Sequence, residues 1–364
     1  MTDSHDYHHL GLRKRVGLEI ARLMHNNIAK EHPLQQLFWE STLRCNLHCR
    51  HCGSDCRREA GREDMPVEDF LRVLDSVSRH YDPHKVFVII SGGEPLMRDD
   101  LEQCGRMIYE RGFPWGMVTN GLYLTPERFR GLMDAGLHSM TVSLDGLEQS
   151  HNWMRGHKDS FARASAAIDL MVAEPRLVFD VVTCVNRHNY HELADLREFL
   201  IKKGVRQWRV ITVFPVGRAA TDNDMRLSAS QFRGVMDFIR ETRADGRIMA
   251  SYGCEGFLGK LEHDVRDYFY HCEAGITVGS VLIDGSISAC TSIRSNYHQG
   301  NIYKDDFIDV WENRFEPYRN HEWMRQGECA DCKLFRYCQG NGMHLRDDNG
   351  QLLLCNLHRL EDKE

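Results

Sequence analysis

The sequence predicts an α/β protein: a partial (β/α)6 TIM-type barrel over residues 36–245, with a small C-terminal cysteine-rich α+β domain over residues 246–364. Residues 1–35 read as a leader segment. Three observations predict this division. Short, continuously apolar runs such as residues 86–90 suit strands buried on both faces of a parallel sheet. Amphipathic stretches of helical period alternate with those runs, as in repeated βα units. Past residue 245 the pattern turns to glycine-rich β-structure and cysteines, with a hairpin expected at Asp284-Gly285.

In chain order, residues 16–24 have helical apolar spacing and Pro33 ends that segment. His5, His8 and His9 fall in a polar terminus expected to be mobile. Strands are expected at 37–43, 86–90, 115–119, 139–144, 177–185 and 208–214. A helix over 66–79 places Val67, Phe70, Leu71, Leu74 and Val77 on one face, with Pro66 in its first turn. Gly112, Gly136 and Gly204 each follow a helical stretch, where a left-handed cap residue belongs. Residues 228–243 read as a further helix.

In such barrels the chemistry sits on loops after the carboxyl ends of the strands. The distinctive residues fall there. Cys45, Cys49 and Cys52 follow the first strand, and 91–95 (Ser-Gly-Gly-Glu-Pro) the second. Asn120-Gly121 follows the third, Asp145-Gly146 the fourth, and residues 215–218 the sixth.

Composition bounds the function. A hydrophobic content of 42% and a charged content of 27% are ordinary for a soluble globular protein. A net charge of −7 gives no basis for nucleic-acid binding. The apolar runs are strand-sized, so no membrane span is expected. The polar, acidic first residues lack the order of a signal peptide, and a cytoplasmic location follows as the expectation. Thirteen cysteines in a reducing compartment point to metal rather than disulfides. Ten of them form two groups, one near the start and one after residue 250.

The first group, Cys45, Cys49 and Cys52, has C-x3-C-x2-C spacing. Three thiolates so close together suit one soft metal centre, iron or zinc. A structural zinc site is closed by four ligands, so a three-cysteine site either borrows a ligand or keeps one coordination position open. The second group contains Cys329, Cys332, Cys338 and Cys355, spacing that a zinc ribbon also uses. Cys104 and Cys184 fall at core positions, and Cys56 is either a redox thiol or a spare loop residue.

Joined to Gly92-Gly93-Glu94-Pro95 and Ser143-Leu144-Asp145-Gly146, the first cysteine loop resembles the radical S-adenosylmethionine (SAM) superfamily. His51 stands in the ring position of its C-x3-C-x-aromatic-C signature. The resemblance implies a [4Fe–4S] cluster on Cys45, Cys49 and Cys52 whose free iron chelates SAM. It implies reductive cleavage of SAM to a 5′-deoxyadenosyl radical that abstracts a substrate hydrogen. It assigns SAM contacts to Gly92, Gly93, Ser143 and Arg155, a supporting role to Glu94, and further contacts to Asn120 and Asp145. Asp145 also reads as a simple turn former. No residue is singled out as a catalytic acid or base.

The final 95 residues or so resemble the SPASM extension, the auxiliary-cluster domain of many peptide-modifying radical SAM enzymes. Cys272, Gly285 and Cys290 match its C-x9–15-G-x4-C element, and Cys329, Cys332, Cys338 and Cys355 match the later one. One thiol is missing, since Gly342 stands three residues beyond Cys338 where the family has cysteine. The resemblance therefore implies one auxiliary [4Fe–4S] cluster on Cys329, Cys332, Cys338 and Cys355. A second would rest on Cys272, Cys290 and Cys254. It further implies a peptide or small-protein substrate and an electron donor of the reduced flavodoxin or ferredoxin type. The expected function is maturase-like modification of a peptide or protein. The alternatives are the same chemistry on a small molecule such as a tetrapyrrole, or a non-catalytic iron–sulfur or zinc protein.

Overall fold

Apolar runs become parallel strands where helices can cover both faces of the sheet they form. In the computed structural model, which describes residues 7–253 and 255–361, six of them pair in sequence order. These are β1 (Gln36–Thr42), β2 (Phe87–Gly92), β3 (Trp115–Thr119), β4 (Leu137–Ser143), β5 (Val178–Val185) and β6 (Gln207–Thr212), all parallel. The expected partial barrel is present, and its strands start and stop within about two residues of expectation.

The helices that precede and connect them are α1 (Leu12–Glu31), α2 (Val67–Val77), α3 (Leu101–Glu110), α4 (Pro126–Asp134), α5 (Glu148–Arg155), α6 (Ser160–Val172) and α7 (Leu193–Lys203), followed by α8 (Ala229–Asp245). On α2 the anticipated face is buried: Val67, Phe70, Leu71, Leu74 and Val77. Phe70 stacks on Trp39 of β1 with ring centroids 4.8 Å apart. Burying such a ring contributes roughly 1.5–3 kcal/mol. Pro66 is the residue before the helix rather than its first turn. On α8, Ser228 accepts from the Gln231 amide and the Gln231 side chain accepts from the Ser228 amide, a reciprocal cap that fixes where the helix begins. Gly204 ends α7 at φ +88°, a left-handed conformation costly for any residue with a Cβ.

The sheet does not stop with the barrel strands. β7 (Met249–Tyr252) pairs parallel with β6, and β8 (Val278–Val281) pairs parallel with β1 on the opposite edge. β9 (Ser286–Ser288) and β10 (Gly300–Asn301) then add antiparallel, so the described residues form one ten-stranded sheet. The hairpin expected at Asp284-Gly285 is the β8–β9 turn. Glu40 of β1 ties it down, accepting from the Ile283 amide (3.1 Å) and pairing with Arg294 (2.9 Å). Residues beyond 245 thus cover both edges of the barrel sheet, where unpaired strands would otherwise be exposed.

The helix expected over residues 16–24 lies within α1. α1 straps the C-terminal region: Lys14 pairs with Asp264 (2.8 Å), and the Tyr337 hydroxyl donates to Glu19 (2.7 Å). His8 contacts Glu361 at 2.6 Å, so it is tied down rather than mobile, while His5 lies outside the described residues. No helix among the described residues is long and apolar enough to cross a membrane.

Candidate functional site

Parallel strands put the carboxyl ends of β1–β6 on one rim, and the loop after β1 carries the first cysteines. Cys45, Cys49 and Cys52 gather with Leu47 and Leu122 in one apolar cluster. The loop is held from two sides. The Arg50 amide donates to Met154 O on α5 (2.9 Å), and the Arg50 guanidinium lies 4.2 Å over the Trp153 ring. From the segment after β6, Arg218 donates through Nε to Cys49 O (2.7 Å) and through its amide to Cys52 O (3.0 Å). That clamp requires Gly217, where an added Cβ would stand 2.5 Å from Cys52 O.

The second rim loop explains its own glycines. A Cβ on Gly92 would meet Thr42 O at 2.1 Å, and one on Gly93 would meet Arg44 O at 2.3 Å. The end of β2 therefore closes directly on the end of β1, with Gly93 N donating to Thr42 O and Glu94 N to Arg44 O. The Glu94 carboxylate is buried and accepts from Leu96 N (3.1 Å), Thr119 Oγ1 (2.7 Å) and Asn120 N (2.7 Å). Burial pushes its pKa up, and these three hydrogen bonds oppose the rise. Glu94 braces β2 against β3. Asn120 carries the brace onward by donating through Nδ2 to Asn46 Oδ1 (2.8 Å) inside the cysteine loop.

After β4, Ser143 is buried at the strand end and Asp145 is buried completely. Arg155 donates through Nε to Asp145 Oδ2 (2.6 Å), and its Nη1 lies 3.7 Å from Cys49 Sγ. The other Asp145 oxygen accepts from Cys184 N (2.9 Å). Burial alone would raise the Asp145 pKa, but Arg155, His51 and His151 hold it at about 2. The turn-former reading of Asp145 is thereby corrected: it is the counter-charge of a buried guanidinium that reaches the cysteine loop. His51 belongs to the same group, its pKa pushed down to about 4 by burial and by Arg155.

In the C-terminal region Cys329, Cys332, Cys338 and Cys355 come together, each close enough to Cys338 to raise the cost of its thiolate. Arg346 places Nη2 3.4 Å from Cys329 Sγ. Burial raises the pKa of the Tyr318 hydroxyl, and Cys290 and Cys272 lie near enough to raise it further. At Gly342 an added Cβ would meet His344 Cε1 at 2.7 Å and Tyr270 Oη at 2.9 Å. The His344 ring thus fills the space a thiol at 342 would need, and it packs on Phe214 after β6 with centroids 5.1 Å apart. Cys254 lies outside the described residues. Cys104 and Cys184 are buried as expected, and Cys56 is buried in contact with the Cys52 thiol.

Four residues of these sites carry no sequence signal of their own: Asn46, Thr119, Arg218 and Arg346. Arg218 is conspicuous only because Pro215-Val216-Gly217 precedes it at a strand end. Arg346 sits among charged loop residues that look solvated.

The thiol groups fit a large inorganic core better than a single ion. A tetrahedral zinc with 2.3 Å Zn–S bonds requires sulfurs about 3.8 Å apart. Among the described residues, neither cysteine group brings three sulfurs within even 4.8 Å of one another. Apolar walls and nearby guanidinium groups also suit a cluster whose potential depends on burial and on hydrogen bonds to sulfur.

Comparison with known proteins agrees. Residues 39–200 match the radical SAM superfamily, and residues 272–333 match an iron–sulfur cluster-binding domain, SPASM. The AdoMet-dependent heme synthase of Methanosarcina barkeri is 26% identical over 331 residues, 86% of this chain and 92% of that protein. The mycofactocin maturase MftC of Mycolicibacterium smegmatis is 27% identical over 317 residues, 84% of this chain and 77% of that protein. Among solved structures, Streptococcus suis SuiB bound to its precursor peptide superposes with a TM-score of 0.68 at 18% identity, covering 88% of this chain and 75% of that one. The cofactors that go with the two matched domains are SAM with a [4Fe–4S] cluster and auxiliary iron–sulfur clusters. The chain is a radical SAM enzyme with a C-terminal SPASM domain.

Proposed function

We propose that Cys45, Cys49 and Cys52 hold the SAM-binding cluster, and that Gly92, Gly93, Ser143, Asp145 and Arg155 shape the SAM pocket around it, with Glu94 and Asn120 bracing its walls. In this reading residues 36–245 supply the radical site. Residues 246–364 supply an auxiliary cluster on Cys329, Cys332, Cys338 and Cys355. Cys272 and Cys290, with Cys254, are the ligands proposed for a second. When bound, the cluster and SAM would supply hydrogen-atom abstraction, which no closed-shell side chain can perform. The chain's own residues do the rest. Arg155 and Asp145 set the charge beside Cys49, the Glu94 brace fixes the rim, and Leu47 and Leu122 keep water from the thiolates. Reducing equivalents would come from a flavodoxin or ferredoxin-type donor.

The substrate we propose is a peptide or small protein. The observation that carries this is an open cleft of about 580 Å³ beside the cysteine loop, lined by Arg44 and residues 58–64. Its wall includes Arg58, Glu59, Arg62, Glu63 and Asp64, charges of both signs on an exposed strip of backbone. Small-molecule sites are enclosed and bury most of their ligand, whereas this shallow surface lies open to solvent and suits an extended chain. The likeness to the mycofactocin maturase supports the same reading. A second reading, oxidation of a tetrapyrrole side chain, is favoured by the larger share of both chains that aligns with the heme synthase.

Co-expression with the open reading frames flanking its gene, followed by mass spectrometry, tests the proposal. A peptide that loses two hydrogens only in the presence of the intact protein supports it. Conversion of an iron-porphyrin propionate, with every peptide unchanged, overturns it in favour of the second reading.

A further inference from the structure

A cluster of donors outside both cysteine groups joins α1 to the segment before β8. We infer that His25, His271 and Glu273 form a binding site for one divalent transition-metal ion of the zinc type. Their ligand atoms all lie within 4.8 Å of one another. Two imidazoles and a carboxylate are a standard donor set for such ions.

Each donor is prepared for the role. His25 is 5% exposed, and its Nδ1 has no hydrogen-bond partner, an unusual expense for a buried ring nitrogen. The two histidine rings stand 4.1 Å apart. His271 Nδ1 faces Phe269 O at 3.2 Å, while its Nε2 faces a Glu273 oxygen. Both ring nitrogens therefore face acceptors. With an ion bound, Nδ1–H donates to the carbonyl while Nε2 and the Glu273 carboxylate both face the ion. Glu273 is steadied in turn, its second oxygen accepting from Thr277 Oγ1 at 2.6 Å. Outer hydrogen bonds to a carbonyl and a hydroxyl are what metal-ligating imidazoles and carboxylates normally have.

Beside the two histidines lies a cavity of about 20 Å³, large enough for one ion or water. Cys272, between His271 and Glu273 in sequence, stands instead beside Tyr318 with Cys290. The segment 271–273 would thus serve two centres and fix α1 against the auxiliary-cluster domain. No cysteine takes part, so the inference stands apart from the reading of the thiol groups.

The test uses the iron-loaded holoenzyme titrated with Co²⁺ and then Zn²⁺. The expected result is one equivalent of Co²⁺, with weak visible absorption and no thiolate charge-transfer band, displaced by Zn²⁺. His25→Asn and Glu273→Gln should weaken binding at least tenfold while keeping the iron content of the wild type. Thr277→Val, which leaves all three ligands in place, should weaken it roughly 10–100-fold. No uptake by the wild type would mean an imidazolium–carboxylate pair without an ion and would overturn the inference. So would a thiolate band, or uptake that the substitutions leave unchanged.

Discussion

Two buried arginines, each pointing at a cysteine sulfur, separate the two halves of this enzyme. Arg155 reaches Cys49 at 3.7 Å and Arg346 reaches Cys329 at 3.4 Å. Their remaining hydrogens differ. Arg155 is neutralised by the buried Asp145, whereas Arg346 donates to the carbonyls of Gly340 and Gly350, and no carboxylate among the described residues pairs with it. Three thiols meet a balanced ion pair at the barrel mouth, and four meet a cation without a carboxylate partner among the described residues in the C-terminal region. A cation beside a cluster favours its more reduced, more negative state. The difference therefore suits a C-terminal cluster that accepts electrons and a barrel cluster tuned by what binds its open position.

The largest effect should come from the rim that makes the barrel site distinct. Gly93→Ala forces a Cβ to within 2.3 Å of Arg44 O, so β1 and β2 must separate where the cysteine loop starts. SAM cleavage, read as 5′-deoxyadenosine released, should fall by roughly two orders of magnitude or more, as expected when site geometry moves by about an ångström. Iron bound by the C-terminal thiols should not change. Equal loss at both sites would show that the two regions do not fold around independent centres.

Glu94→Ala comes next. It strands three buried donors, those of Leu96, Thr119 and Asn120, and should cost roughly 3 kcal/mol or more in denaturant unfolding. Glu94→Gln keeps the shape but can accept through only one oxygen, so an intermediate loss is expected. A stability equal to the wild type in both variants would remove the brace from the account.

The smallest effects sharpen the electrostatic contrast. Asp145→Asn leaves the Arg155 charge unbalanced and should make the barrel site resemble the other, raising its reduction potential by roughly tens of millivolts. Arg346→Met should lower the potential of the C-terminal cluster by a similar amount. Potentiometric titration followed by electron paramagnetic resonance reads both. Shifts of the opposite sign would mean that these guanidinium groups act through packing rather than charge.

The barrel was legible in the sequence because period and burial agree along it. Residues 86–90 and 115–118 are apolar throughout, and β2 and β3 lie where those runs do. The chemistry-bearing cysteines were legible for a similar reason, since their spacing is local. Long-range partners were hidden. β8 pairs with β1 across some 240 residues, and nothing in residues 278–281 announces which edge they will extend. Asp145 read as either a SAM contact or a turn residue, because an Asp-Gly pair looks the same whether its carboxylate faces water or a buried arginine. The terminus looked mobile because its polar histidines gave no hint of Glu361. The glycines carry a further demand. Gly92 and Gly93 are required by close strand contact, a demand that the sequence states only as a pair of small residues.

The central claim is that the cysteines divide into an open radical site and a separate C-terminal iron–sulfur region. Metal analysis of the holoenzyme in which Cys45, Cys49 and Cys52 are all replaced by alanine tests it most directly. The account predicts no 5′-deoxyadenosine and retained iron, about four atoms per chain with one auxiliary cluster or about eight with two. Loss of all iron, or zinc in its place, would contradict it.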